Sequence, residues 1–125
     1  MKEMKFYKCA HCGKIVTELK EAKVPTMCCG EAMKEIIPGT VDAAVEKHVP
    51  VVTTEGGVVT VKVGSVTHPM TPEHLIEWIA VETKFGFYVR KLTATDAPEA
   101  TFTLASGDEV VAVYEYCNLH SLWKA

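Results

Sequence analysis

The stretch Val110-Val111-Ala112-Val113-Tyr114-Glu115-Tyr116-Cys117-Asn118-Leu119-His120 carries both the fold and the chemistry of this chain. Val111, Val113, Glu115 and Cys117 interleave with Val110, Ala112, Tyr114 and Tyr116, which is the two-residue period of a strand and not the period of a helix. The strand then runs into Cys117-x-x-His120, by spacing one half of a metal site. Working outward, Val59, Val61 and Val63 alternate with Val58, Thr60 and Lys62, and Ile76, Trp78 and Ala80 with Glu77, Ile79 and Val81. Phe87, Val89 and Lys91 interleave with Tyr88, Arg90 and Leu92. Glu55-Gly56-Gly57, Lys84-Phe85-Gly86, Asp96-Ala97-Pro98 and Ser106-Gly107-Asp108 separate these runs as turn signals. The pattern predicts an all-β chain with about seven strands in a two-sheet antiparallel sandwich. It contains no long helical stripe, internal repeat or low-complexity tract.

Residues 1–37 read differently. Short strand-like pieces, Lys5-Phe6-Tyr7-Lys8, Ile15-Val16-Thr17-Glu18-Leu19 and Met33-Lys34-Glu35-Ile36, alternate with turns at Cys9-Ala10-His11-Cys12-Gly13 and Cys28-Cys29-Gly30. Four of the five cysteines lie here, as a Cys-x-x-Cys and an adjacent pair, so four thiolates can close a tetrahedral site without outside help. Too few apolar residues remain to hold the lobe unaided, and metal binding is then also its folding free energy. Spacing alone favours zinc, and a single iron suits the same all-sulfur shell. A thioredoxin-like redox pair lacks its βαβ context. Neighbouring side chains leave an extended backbone in opposite directions, so joining Cys28 and Cys29 to one ion demands a local distortion. His11 reads as a surface residue beside a completed shell. Pro38-Gly39-Thr40 marks the boundary, dividing the chain into a metal-knuckle domain at 1–37 and the sandwich at 38–125.

Composition sets the outer bounds. With 125 residues and 48% hydrophobic content, the chain supports one good core plus a metal-stapled appendage. The net charge of −3 and the absence of a Lys/Arg cluster leave a nucleic-acid backbone no electrostatic footprint. No secretory leader or bilayer-length apolar run is seen, and the expectation is a cytoplasmic protein with no membrane partner. In a reducing cytosol, clustered cysteines are metal thiolates before they are disulfides.

The sandwich half holds a second set of donors. His48, His68, His74 and His120 all fall at strand ends or in loops, and loops at one end of a sandwich can converge on the lone Cys117. Isolated solvated histidines are the bland alternative. If the five residues hold one Fe(II), neutral imidazoles and one thiolate leave a net charge of +1 and one open octahedral corner, which attracts an anion, and the sulfur pushes electron density toward it. Glu46 and Lys47 immediately precede His48. Lys47 is then placed to draw in an anion and relay protons, and Glu46 to cap a more positive ferric ion. Trp78, Tyr116 and Trp123 read as core or rim aromatics.

Taken together, Tyr7-Lys8-Cys9-x-His11-Cys12-Gly13, Cys28-Cys29-Gly30, Asp42-Ala43-Ala44 with Glu46-Lys47-His48-Val49-Pro50, Lys62-Val63-Gly64-Ser65-Val66, His68-Pro69-Met70, His74 with Ile76-Glu77-Trp78-Ile79, and Glu115-Tyr116-Cys117-Asn118-Leu119-His120 resemble the desulfoferrodoxins, the two-iron superoxide reductases, over essentially the whole chain. The resemblance implies a desulforedoxin/rubredoxin-like lobe holding iron in Cys9, Cys12, Cys28 and Cys29, followed by an immunoglobulin-like sandwich with the catalytic iron. It implies equatorial nitrogens from His48, His68, His74 and His120 and an axial sulfur from Cys117. Glu46 would ligate the resting ferric iron and Lys47 would guide superoxide. It further implies a homodimer re-reduced by a rubredoxin-type donor. Ser121 departs from the pattern, which leads one to expect glycine after the last histidine. The rival readings are a pure electron carrier, in which neither iron turns over substrate, and a zinc-stapled binding module.

Overall fold

The computed structural model describes residues 3–125. The chain divides into two compact units, one ending at Ile37 and the other spanning Pro38–Ala125.

In the first unit, β1 (Phe6–Lys8) lies between β2 (Ile15–Thr17) and β5 (Lys34–Ile36) in an antiparallel sheet, and β3 (Met27–Cys28) pairs with β4 (Glu31–Ala32) as a separate hairpin. Phe6, Cys9 and Met33 are its only buried apolar side chains among the described residues. The distortion expected at Cys28-Cys29 takes a definite form. Cys29 and Gly30 are the two loop residues of the β3–β4 hairpin, with φ of 52° and 76°. Positive φ at both positions is the type I′ geometry that suits a two-residue hairpin loop. A non-glycine residue there costs about 1–2 kcal/mol, and in exchange both sulfurs emerge on one side, 4.0 Å apart.

The second unit is the predicted sandwich. A single helical turn, α1 (Val45–His48), leads into β6 (Pro50–Glu55). The remaining strands are β7 (Val58–Val63), β8 (Ile76–Thr83), β9 (Phe87–Lys91), β10 (Glu99–Thr103), β11 (Val110–Cys117) and β12 (Ser121–Lys124). They form antiparallel sheets of order β10-β7-β6 and β12-β11-β8-β9. Val59, Val61 and Val63 point inward as their alternation requires, meeting Ile79, Val81, Phe102 and Val113.

The period-two reading of β8 slips in one place. Ile76 joins Ile79 and Val81 in the core, although strict alternation puts it with Trp78 and Ala80. Tyr116 pairs with Trp78 but Cys117 pairs with Ile76, so Glu77 is an extra residue on β8. Such a bulge resets the face on which side chains emerge. It lies beside Cys117, where β11 delivers its thiol.

Candidate metal centres

The five donors of the sandwich unit arrive on four pieces of backbone at one end of the sheets. His48 closes α1, His68 and His74 stand in the β7–β8 loop, Cys117 ends β11, and His120 sits in the β11–β12 turn. The imidazoles form a closed ring. Centroids of His48–His68, His68–His74, His74–His120 and His120–His48 are 4.8, 4.7, 5.1 and 4.8 Å apart, each pair within 16° of perpendicular. The donor atoms of His48, His74, Cys117 and His120 all lie within 4.8 Å of one another. His68 stands beside this group with its Nε2 3.2 Å from that of His48, but its donor is not among the four that lie within 4.8 Å of one another.

The tautomers follow from the hydrogen bonds. His48 Nδ1–H donates to Ala44 O and His68 Nδ1–H to Pro69 O, both at 2.7 Å. A carbonyl only accepts, so the proton sits on Nδ1 and each Nε2 turns a bare lone pair inward. His48 Nε2 also faces His120 Nδ1 at 3.1 Å. His74 Nε2 is buried without a hydrogen-bond partner. Burial depresses the His48 and His74 pKa values and brings His68 down to about 4, which keeps these rings neutral. Lone pairs at such distances repel unless a cation lies between them. Two imidazole nitrogens 3.1 Å apart, as those of His48 and His120 are, can both reach one cation at a metal–imidazole bond of about 2.0–2.1 Å. The residues fit a metal.

Cys117 Sγ is fully buried, 3.8 Å from His120 Nδ1. Burial pushes its thiol pKa up, and the backbone N–H groups of Leu119 and His120 oppose that by donating to the sulfur. Trp123 stacks on His48 at 5.0 Å and donates its indole N–H to His120 O, bracing two of the rings. Trp78 and Tyr116 stack on each other, 5.7 Å apart.

Glu46 and Lys47 are exposed on α1. The Lys47 charge is felt at both His48 and His74, lowering their pKa values. Glu46 is anchored by its backbone, whose carbonyl accepts from Val66 N–H at 2.9 Å and Ser65 Oγ–H at 3.3 Å. Its carboxylate is not among the gathered donor atoms. Two features escaped the sequence reading. Glu115 is fully buried with both carboxylate oxygens unpartnered, and desolvation pushes its pKa up to about 9. Asn118 ties the loops together. Alternation put Glu115 on the Cys117 face, but nothing in the sequence marks how deeply that face is covered.

The four-sulfur cluster is equally compact. Cys9, Cys12, Cys28 and Cys29 offer sulfurs within 4.8 Å of one another, with Cys12 and Cys28 3.6 Å apart. A tetrahedron with metal–sulfur bonds of about 2.3 Å has edges of about 3.8 Å. The N–H groups of His11 and Cys12 both donate to Cys9 Sγ at 3.4 Å and bring that thiol down to about 6. Cys28, hydrogen-bonded to its sulfur neighbours, is pushed up to about 12. His11 is exposed and pairs with Glu31 at 2.5 Å.

The desulfoferrodoxin family model matches residues 40–125, and the model of the desulfoferrodoxin N-terminal domain matches residues 1–36. A desulfoferrodoxin from Nitratidesulfovibrio vulgaris is 48% identical over 123 residues, 98% of this chain and 96% of the relative. A desulfoferrodoxin homolog from Archaeoglobus fulgidus is 43% identical over 98% of this chain and 96% of its own. The crystal structure of the superoxide reductase from Treponema pallidum superposes with a TM-score of 0.84 at 42% identity, covering 99% of both chains. The fold and the paired donor clusters define a two-centre iron protein. The chain belongs to the desulfoferrodoxin family. Its four-cysteine and histidine–cysteine clusters match the two iron centres of that family.

Proposed function

We propose that this chain is a superoxide reductase, converting one superoxide, one electron and two protons into hydrogen peroxide without releasing oxygen. The observation that carries the reading is the closed ring of four imidazoles, with the His48 and His68 lone pairs turned inward, beside a buried thiol. Iron held there supplies the electron and one open coordination position. His48, His68 and His74 offer Nε2, His120 offers Nδ1, and Cys117 supplies the fifth donor from the protein interior. With neutral imidazoles and one thiolate, the ferrous site keeps a net charge of +1, which favours a small anion.

Lys47 adds a second positive charge at the exposed edge, draws superoxide inward and holds a proton near the developing peroxide. Glu46, on the same turn, would offer a carboxylate to iron held at this centre. Cys9, Cys12, Cys28 and Cys29 would hold the other iron, at the four-sulfur centre. An external one-electron donor of the rubredoxin type restores the ferrous state, and the working form is a homodimer in the cytoplasm, whose reducing poise keeps the five thiols available to metal. Among the described residues, no helix is long and apolar enough to cross a membrane.

Metal analysis with pulse radiolysis tests the proposal. Cys117→Ser is expected to abolish superoxide consumption while the absorption of the four-sulfur iron persists. Full reductase activity in that variant contradicts the assignment. Azide or cyanide should perturb the second centre's spectrum. A centre indifferent to both anions would favour the pure electron carrier.

A further inference from the structure

The β7–β8 loop and the β11–β12 turn bring donors from far apart in sequence, and one side chain joins them. Asn118 Oδ1 accepts the N–H of Leu75 at 2.9 Å, and its Nδ2 donates to the carbonyl of Glu73 at 2.9 Å. Its own backbone N–H donates to Leu75 O at 3.2 Å. The amide orientation is unambiguous, because a backbone N–H can only donate and a carbonyl can only accept. Glu73 and Leu75 flank His74, so Asn118 grips the chain on both sides of one ring while standing next to Cys117 and two residues before His120.

The His74 loop is otherwise closed on itself. Thr71 N–H donates to His74 O at 2.9 Å, and His74 N–H donates to Thr71 O at 3.2 Å and to Thr71 Oγ1 at 3.0 Å. These bonds shape the turn but do not fix where it sits against the other donors, and a self-contained turn can pivot as a unit. The three bonds from Asn118 remove that freedom.

We infer that Asn118 is a positioning residue that registers His74 against Cys117 and His120, setting the geometry of the second iron centre without touching the metal. Partners of this kind are worth about 10–100-fold in metal affinity. The inference rests on the reading of these residues as iron ligands.

The test compares the two-iron protein with Asn118→Ala, Asn118→Asp and the control Asp108→Ala. Asp at 118 keeps the acceptor for Leu75 N–H but turns a second oxygen toward Glu73 O, so it loses one bond with little change of shape. Asp108 Oδ1 accepts from Phe85 N–H and Glu109 N–H at 3.0 and 2.9 Å, near the end of β11 opposite Cys117. Its removal therefore weakens the same domain through loop bonds remote from the centre. Release of the second iron to a chelator should quicken about tenfold or more in both Asn118 variants, with a shifted thiolate-to-iron absorption band and an unmoved band from the four-sulfur iron. Asp108→Ala should lower thermal stability and leave release and spectrum as in the wild type. Wild-type release in both Asn118 variants, or equal acceleration in Asp108→Ala, overturns the inference alone. A wild-type chain that binds only the four-sulfur iron overturns the underlying metal reading and the inference with it.

Discussion

Gly64 supports the turn that carries Glu46, Lys47 and His48, and replacing it with alanine puts a definite load on that turn. Its φ is +83°, and a Cβ built there falls 2.4 Å from Val66 O, 2.8 Å from Glu46 O and 2.8 Å from the carbonyl carbon of Lys47. All three are backbone atoms, so no side chain can swing away. The left-handed conformation costs alanine about 1–2 kcal/mol. Relieving the overlap requires backbone shifts of the kind that cost about 1–3 kcal/mol in overpacked sites. The stiffer unfolded chain returns about 0.4–1 kcal/mol. The net loss centres on ~3 kcal/mol, within a span of about 1–4.5 kcal/mol, and ~3 kcal/mol is a fall of roughly 12–24 °C in the melting temperature of a domain this size. The displaced atoms lie one and two residues before His48 and two residues before His68, so the second centre should feel the shift. A ligand or charge misplaced by ~1 Å can cost about a hundredfold in rate. Gly56→Ala is the matched control, since Gly56 has φ +57° but nothing within 4 Å of its added carbon. Calorimetry of both variants, together with the superoxide rate constant by pulse radiolysis, decides the matter. If Gly64→Ala melts with Gly56→Ala and reacts at the wild-type rate, the crowding argument is wrong.

Ser121 has φ 63° where the family pattern leads one to expect glycine. Ser121→Gly should relieve about 1 kcal/mol of strain, partly offset by unfolded-chain entropy, and raise the melting temperature by about 2–4 °C; a lower melting temperature contradicts this. Lys47→Ala should slow the encounter with superoxide about tenfold at low ionic strength and flatten its salt dependence. An unchanged rate constant and salt slope in pulse radiolysis would remove the steering role. Stripping metal from the four-cysteine cluster should unfold the first unit, whose described core is only Phe6, Cys9 and Met33. Hydrogen exchange should then show lost protection over β1–β5 and retained protection in β7, β8 and β11. Protection that survives across β1–β5 would mean the lobe folds without its ion.

Local chemistry was legible in the chain itself. Valine alternation at 59–63 named a buried face, the Cys-x-x-Cys and Cys-Cys clusters named a sulfur site, and four histidines beside Cys117 named another donor set. These signals survive because period and spacing depend only on neighbours along the backbone. The oddity of Cys28-Cys29 was also visible, although its solution, a left-handed Cys29 in a two-residue hairpin loop, was not.

Tertiary structure decided what depends on residues far apart in sequence. Glu77 bulges out of β8 and returns Ile76 to the core, because the register of β8 against β11 overrides strict alternation. His48 and His68 offer Nε2 because the carbonyls of Ala44 and Pro69 take their Nδ1 protons, while His120 faces His48 through Nδ1. Asn118 acquires its grip on His74 only when strands β8 and β11 pair and carry residues 43 and 45 positions apart into contact. Sequence determined which atoms are able to bind metal. The closing of the two sheets determined which of them face one point, because lone-pair direction and burial belong to the assembled backbone.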